Sequence, residues 1–342
     1  MNIIKKNKVY VLTAPFYKTG GTELCHQLVY AINNLGGEAK ILYKNTSDGN
    51  YLNPSFQKYV SDYDVLSSDV FENFDGIVVI PESETLFIPK FKKAKIYLWW
   101  MSVDNYFKYQ KIKYIYEEKK LLRTIKYLFT GYQIKKKYLP LNQMTNVKLH
   151  LAQSKYAVNF LNSNGIYNVH YLSDFINEDY INNAKQVKNS NKENVILYNP
   201  SKGILFTKKI IKMNPNLKFT PLQNMTNEEM SEAMSKAKIY IDFGAHPGKD
   251  RMPREAALMG CCIVTGKRGS AAFDDVSIPD RYKIQDKNRN LKKISNRINE
   301  ILSNYNEANN DFSYYREIIE NEKKIFYEDV KDIFIKDIYE TK

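Results

Sequence analysis

The segment Tyr240–Gly269 reads Tyr-Ile-Asp-Phe-Gly-Ala-His-Pro-Gly-Lys-Asp-Arg-Met-Pro-Arg-Glu-Ala-Ala-Leu-Met-Gly-Cys-Cys-Ile-Val-Thr-Gly-Lys-Arg-Gly. Its residue types suit a phosphorylated ligand. Lys249, Arg251 and Arg254 are cations, and a guanidinium can grip two phosphate oxygens at once. A loop containing Gly244, Pro247 and Gly248 feeds a helix starting near Pro253, whose first N–H groups attract anions. Glu255, in the first turn, suits a ribose diol, and His246 is a catalytic candidate in the same loop. Any one of these charges is more often simply solvated, and a lone loop histidine is usually incidental. The weight lies in the cluster, because the chain has eight Arg in all and Arg251, Arg254 and Arg268 fall here.

Such a loop needs a strand before it and a helix after it, and the surrounding sequence supplies them. Val9–Ala14 is a short apolar run. A turn through Gly20-Gly21 follows, then a helix with Leu24, Leu28, Ala31, Ile32 and Leu35 on one face, then the strand Ala39–Tyr43. This βαβ pattern seeds a parallel sheet. Gly76–Pro81, Lys95–Met101 and Val147–Gln153 are further strand candidates. The polar stretch Glu178–Glu193 reads as a linker. The βα rhythm resumes at Val195–Tyr198, Leu217–Pro221, Lys238–Phe243 and Cys261–Thr265. In the tail, Phe312, Tyr315, Ile319, Phe326, Val330 and Ile333 recur at helical spacing and read as core. The expected domains are therefore 1–177, a linker 178–193, 194–290, and C-terminal helices 291–342 packing back on the body.

The chain has 342 residues, and 43% hydrophobic with 26% charged residues is the composition of an ordinary globular protein. No apolar run approaches the ~18 residues of a membrane-spanning helix. Cys25, Cys261 and Cys262 form neither a disulfide framework nor a zinc spacing, which favours a reducing, cytoplasmic setting. A formal net charge of +13 favours anionic partners.

Glu255-Ala256-Ala257-Leu258-Met259-Gly260, followed by an apolar strand and Gly266, resembles the nucleotide-sugar signature of GT-B glycosyltransferases. The resemblance implies an α/β fold of two Rossmann-like domains facing across a cleft, and a metal-independent transfer from a nucleotide-sugar donor without a further cofactor. Glu255 takes the place of the glutamate that holds the donor ribose. Pro247 stands where many retaining members carry a second glutamate, and the family's proline is displaced by one, to Pro253. Gly20-Gly21-Thr22-Glu23 resembles the acceptor domain's Gly-Gly turn near the donor phosphates. Lys202, in Tyr198-Asn199-Pro200-Ser201-Lys202-Gly203, falls where a basic residue meets the pyrophosphate. Gly269-Ser270 resembles the later turn near the donor. Together with Trp99-Trp100-Met101-Ser102-Val103-Asp104-Asn105, these segments resemble enzymes of bacterial surface polysaccharide (capsule or lipopolysaccharide) biosynthesis.

Glu82 and Asp104 end strands of the first half and are candidates, with His246, for acid–base work on an acceptor hydroxyl. Asp62-Tyr63-Asp64 mimics a metal-binding Asp-x-Asp, but no apolar strand precedes it, and no metal site is expected. From Lys108 to Lys137 ten basic residues face two acidic ones, with aromatic residues interleaved. That composition suits an anionic membrane surface, or a helix with a solvated basic face. The expected partners are a nucleotide-sugar donor, a glycan or lipid-linked glycan acceptor, and the inner face of the cell membrane, but not nucleic acid. A nucleotide-sugar 2-epimerase of the same fold and a basic nucleic-acid-binding protein are the alternatives.

Overall fold

A computed structural model describes residues 8–47, 49–108, 138–187 and 192–336. Two compact units emerge from its contacts. Unit 1 comprises Met1–Gln153, Ala157–Leu172 and Ile325–Lys342, and unit 2 comprises Ser154–Tyr156 and Ser173–Lys324. The basic stretch that begins at Lys108 lies, from residue 109 to 137, outside the described residues. Among the described residues no helix is long and apolar enough to cross a membrane.

Unit 1 is built on a seven-stranded sheet, parallel throughout. Its strands are β1 (Lys8–Thr13), β2 (Glu38–Tyr43), β3 (Tyr63–Val65), β4 (Ile77–Pro81), β5 (Lys95–Trp100), β6 (Val147–Ala152) and β7 (Val169–Tyr171). They lie in the order β3-β2-β1-β4-β5-β6-β7. All of β4 and nearly all of β5 are buried, which is why they read as unbroken apolar runs. Helix α1 (Gly20–Asn34) turns Leu24, Leu28, Ala31 and Ile32 inward. Thr19 caps it, exchanging hydrogen bonds with Thr22. From β1 the chain passes to β2 on one side, and β4 lies on the other. The β1–β4 boundary is thus a switch point, where a parallel sheet opens a crevice at its carboxyl edge. Helices α2 (Ser68–Asn73), α3 (Val103–Lys108) and α4 (Lys155–Ser163) complete the βα rhythm.

Unit 2 carries β8 (Glu193–Tyr198), β9 (Lys218–Pro221), β10 (Ala237–Asp242) and β11 (Cys262–Thr265), all parallel, in the order β11-β10-β8-β9. Its switch point falls between β8 and β10. The helices are α5 (Glu178–Ala184), α6 (Ile204–Met213), α7 (Asn227–Lys236), α8 (Arg251–Leu258), α9 (Leu291–Ser303), α10 (Tyr305–Asn310) and the first part of α11 (Ser313–Phe334), whose residues from Ile325 on belong to unit 1.

Over its described residues the polar stretch expected as a linker is part of unit 2: Glu178–Ala184 form α5, and Tyr180, Ile181, Ala184 and Val187 pack against the core of unit 2. The ammonium of Lys192 is buried and donates to the carbonyls of Met234, Ala237 and Met259, at the C-terminal ends of α7 and α8. A cation suits the negative ends of two helix dipoles. The expected tail stripe is buried at all six positions, Phe312, Tyr315 and Ile319 in unit 2, and Phe326, Val330 and Ile333 in unit 1.

Candidate functional site

At the switch point of unit 2, two strand-end loops touch. The loop after β8 ends in Lys202-Gly203, and the loop after β10 begins at Phe243-Gly244. A side-chain carbon on Gly203 would lie 2.4 Å from the carbonyl oxygen of Phe243, and one on Gly244 would lie 2.3 Å from Cβ of Lys202. Gly203 also has φ of +60°. Glycine at both positions is therefore a packing requirement. The turn after β11 docks on the same loop. Gly269 has φ of +52° and comes so close to the carbonyl of His246 that a Cβ would lie 2.0 Å from it. The N–H of Ser270 donates to that carbonyl at 2.9 Å, and the Ser270 hydroxyl donates to the carbonyl of Gly248 at 2.6 Å.

Inside this frame the charges are paired. Asp242, the last residue of β10, accepts from the N–H of Gly244 at 2.9 Å and from the Tyr240 hydroxyl at 3.1 Å. His246 is fully buried, with Nε2 3.5 Å from Asp242 and Nδ1 3.0 Å from Asp250. Burial works against a charged ring, but Asp242 first and Asp250 with it overcome this and push the His246 pKa up to about 10. Burial likewise opposes the Asp242 carboxylate, yet His246 and Lys202 hold it down to about 2. The other oxygen of Asp250 pairs with Lys202 Nζ at 2.7 Å. Asp242, His246 and Asp250 also have a metal-ligating composition, with ligand atoms within 4.8 Å of one another. In the arrangement present, a proton on the ring and the Lys202 ammonium balance the two carboxylates.

The roles expected of Arg254 and Lys249 require correction. Arg254 is fully buried on α8, and its guanidinium donates to Glu322 at 2.6 Å, Asp174 at 2.7 Å, the carbonyl of Lys249 at 3.1 Å and that of Asp250 at 3.2 Å. Lys249 Nζ reaches Ser173 Oγ and Glu322 Oε1, each at 2.9 Å. Both cations hold the loop and helix in place rather than face a ligand. Burial opposes charge on Asp174, but Arg254 and Lys249 bring its pKa below the usual carboxylate range. Helix α8 begins at Arg251, so Glu255 stands a full turn in rather than at the start, with its carboxylate 3.9 Å from Arg251 Nε.

Unit 1 gathers the other candidates at its own switch point. Gly20 and Gly21 open α1 directly after the β1 loop, and Glu82 follows β4. Glu82 is buried and accepts from the N–H of Met101 at 3.0 Å. Burial pushes its pKa up to about 8. Burial thus favours the protonated carboxyl over the carboxylate. Asp104 sits in the first turn of α3, beyond β5, and is half-buried. The structure thus brings Lys202, Gly244, His246, Gly248, Lys249, Arg251, Arg254, Glu255, Gly269 and Ser270 to one sheet edge, and Gly20, Gly21, Glu82 and Asp104 to another. Asp174, Asp242, Asp250 and Glu322 went unforeseen. The even spacing 242, 246, 250 was the one available signal, and for Asp174 and Glu322 there was none.

Two parallel α/β units, each with a glycine-bearing switch-point loop, define a pair of Rossmann-like domains. Comparison with solved structures identifies the arrangement as the GT-B glycosyltransferase fold. The chain matches Anabaena HepE, solved in complex with UDP-glucose, with a TM-score of 0.58 and 10% identity over 96% of this chain and 99% of that one. It matches a glycosyltransferase from Rickettsia africae with a TM-score of 0.63 and 13% identity over 99% and 100%. The apo form of the lipopolysaccharide outer core galactosyltransferase WaaB gives 0.61 and 12% over 96% and 99%. No protein-family model matches the chain, and no curated protein does.

Proposed function

We propose that the protein is a glycosyltransferase that moves a hexose from a nucleotide-sugar donor to a glycan of a bacterial surface polysaccharide. The observation that carries this reading is the switch-point loop of unit 2, where Lys202, the start of α8 and Glu255 line up beside two strand ends made of close-packed glycines. The fold shared with HepE, which was solved with UDP-glucose, and with WaaB, a lipopolysaccharide galactosyltransferase, supports it.

In this reading Lys202 and Arg251 meet the donor diphosphate, Glu255 accepts from the ribose hydroxyls, and the Gly269-Ser270 turn bounds the donor. Unit 1 takes the acceptor. An acceptor hydroxyl oxygen bonds to the anomeric carbon as the bond from that carbon to the diphosphate oxygen breaks, and the diphosphate leaves with the electron pair. If the anomeric configuration inverts, the hydroxyl proton passes to the Asp104 carboxylate. Basic side chains and helix-terminal N–H groups stabilise the leaving charge in place of a divalent cation. The acceptor is lipid-linked, and the basic, aromatic sequence from Lys108 to Lys137 brings the protein to an anionic membrane surface. Thermal shift with a panel of nucleotide sugars tests the donor class. One or more should raise Tm and then release nucleoside diphosphate in the presence of acceptor, and a panel without any shift at millimolar concentrations would overturn the reading.

A further inference from the structure

Lys202, like Arg251, is a partly exposed cation of the unit 2 switch point, with about a third of its side chain open to solvent. Its ammonium already holds Asp250 Oδ1 at 2.7 Å. Asp250 precedes α8 at its N-cap position, but its side chain caps none of the helix N–H groups. It turns instead to Lys202 with one oxygen and to His246, 3.0 Å away, with the other. A carboxylate thus stands at a helix N-terminus and on a lysine, the two features that make a phosphate site.

We propose that Asp250 is an internal stand-in for the ligand's phosphate: it holds Lys202 until a diphosphate takes its place, and keeps His246 as its neighbour when that happens. This rests on the donor reading above and adds to it a residue that sets affinity. The exchange works because His246 is already in place. Its ring is buried between Asp242 at 3.5 Å and Asp250 at 3.0 Å, so Asp250 keeps a neighbour when Lys202 swings to the phosphate. Asp242 is held in turn by the Gly244 N–H and the Tyr240 hydroxyl, so the relay ends on β10 and does not drift with the loop. Asp250 and His246 are positioning residues and do not touch the reacting atoms. A ligand lacking a diphosphate gains nothing from the exchange, so the device also favours nucleoside diphosphates over nucleosides.

Calorimetry with UDP and with inorganic diphosphate tests the proposal on the full-length chain and on the variants Lys202→Met, Asp250→Asn, His246→Gln and the double variants Lys202→Met/Asp250→Asn and His246→Gln/Asp250→Asn, each checked for folding by circular dichroism. Removing a competitor of this kind should tighten UDP binding by roughly fivefold in Asp250→Asn. The gain should vanish when Lys202 is also Met. His246→Gln should weaken binding while Asp250 is present and have no effect in an Asp250→Asn background, a dependence that a merely structural histidine would not show. Weaker UDP binding in Asp250→Asn, or a gain that persists without Lys202, would overturn the stand-in role while leaving the donor site standing. Unchanged binding in Lys202→Met would remove Lys202 from the donor site and the inference with it.

Discussion

Glu82 offers a test in which the sign of the effect is fixed by the structure. Its carboxyl is buried at the end of β4, and the pKa rises from the ordinary 4.5 to about 8. Between those values the folded protein keeps a proton that the unfolded chain has released. Stability from this group is therefore fully present below pH 4.5 and is lost as the pH rises through about 8. Each pH unit in that window costs about 1.4 kcal/mol. Across the window the loss reaches about 5 kcal/mol, an order-of-magnitude figure. Glu82→Gln keeps an acceptor for the N–H of Met101 and removes the titration. The variant should match wild type near pH 4.5 and exceed it by several kcal/mol at pH 9. Tryptophan emission during urea unfolding is the assay, because Trp99 and Trp100 are the chain's two tryptophans and both lie in β5, next to Met101. Emission thus reports unit 1 alone. A wild-type-minus-variant difference that stays flat from pH 5 to 9 would refute the argument and restore Glu82 as an ionised base.

Four further outcomes can be measured. Arg254→Met removes the guanidinium from the buried Asp174 and leaves Glu322 with Lys249 alone, and should destabilise unit 2 by about 3–5 kcal/mol, read by denaturant unfolding with circular dichroism; a loss under 1 kcal/mol would show that the cluster relaxes easily. Glu255→Ala should weaken nucleotide binding by roughly 1.5–3 kcal/mol for each hydrogen bond lost, with the fold intact, and calorimetry showing unchanged affinity would remove it from the ribose. Transferase activity should survive excess EDTA; loss restored only by manganese or magnesium would move the mechanism to a metal. Anionic vesicles should retain the protein in co-sedimentation and neutral ones should not, with Lys135, Lys136 and Lys137 changed to Glu releasing it; equal retention on both would leave the basic stretch without a membrane role.

The sheet positions that were legible in the sequence are those covered on both faces. β4 and β5 are buried almost throughout, so their apolar runs stand out, and the stripe from Tyr315 to Ile333 is visible because one long helix, α11, repeats it. β3 and β7 left no such trace. They are three-residue strands at the two edges of the sheet, half-exposed or exposed along their length. The stretch Glu178–Glu193 misleads for a related reason. α5 rests on a few apolar residues set among polar ones, and Lys192 is a charged residue that packs as core because three carbonyls receive it. Composition registers the charge and cannot register the carbonyls.

The candidate loop was legible by residue type and misread by partner. Scarce arginines in a glycine-rich loop read as a positive site, but the acids that engage Arg254 lie 68 and 80 residues away in sequence, at Glu322 and Asp174. Four cationic side chains, Lys202, His246, Lys249 and Arg254, are matched within the fold by four carboxylates, Asp174, Asp242, Asp250 and Glu322. The loop therefore carries no surplus charge of its own making, whatever the net +13 of the chain. An anion cannot bind such a site by attraction alone, since every ammonium it approaches is already neutralised. It must replace an internal carboxylate, and the replaceable one is whichever pair is least buried. Arg254 and its partners are sealed and Lys249 is nearly so, while the Lys202–Asp250 pair is 31% and 17% exposed. Exposure thus marks Lys202–Asp250 and the comparably open Arg251–Glu255 pair as the places where a diphosphate can enter, and the buried pairs keep the loop in shape while it does.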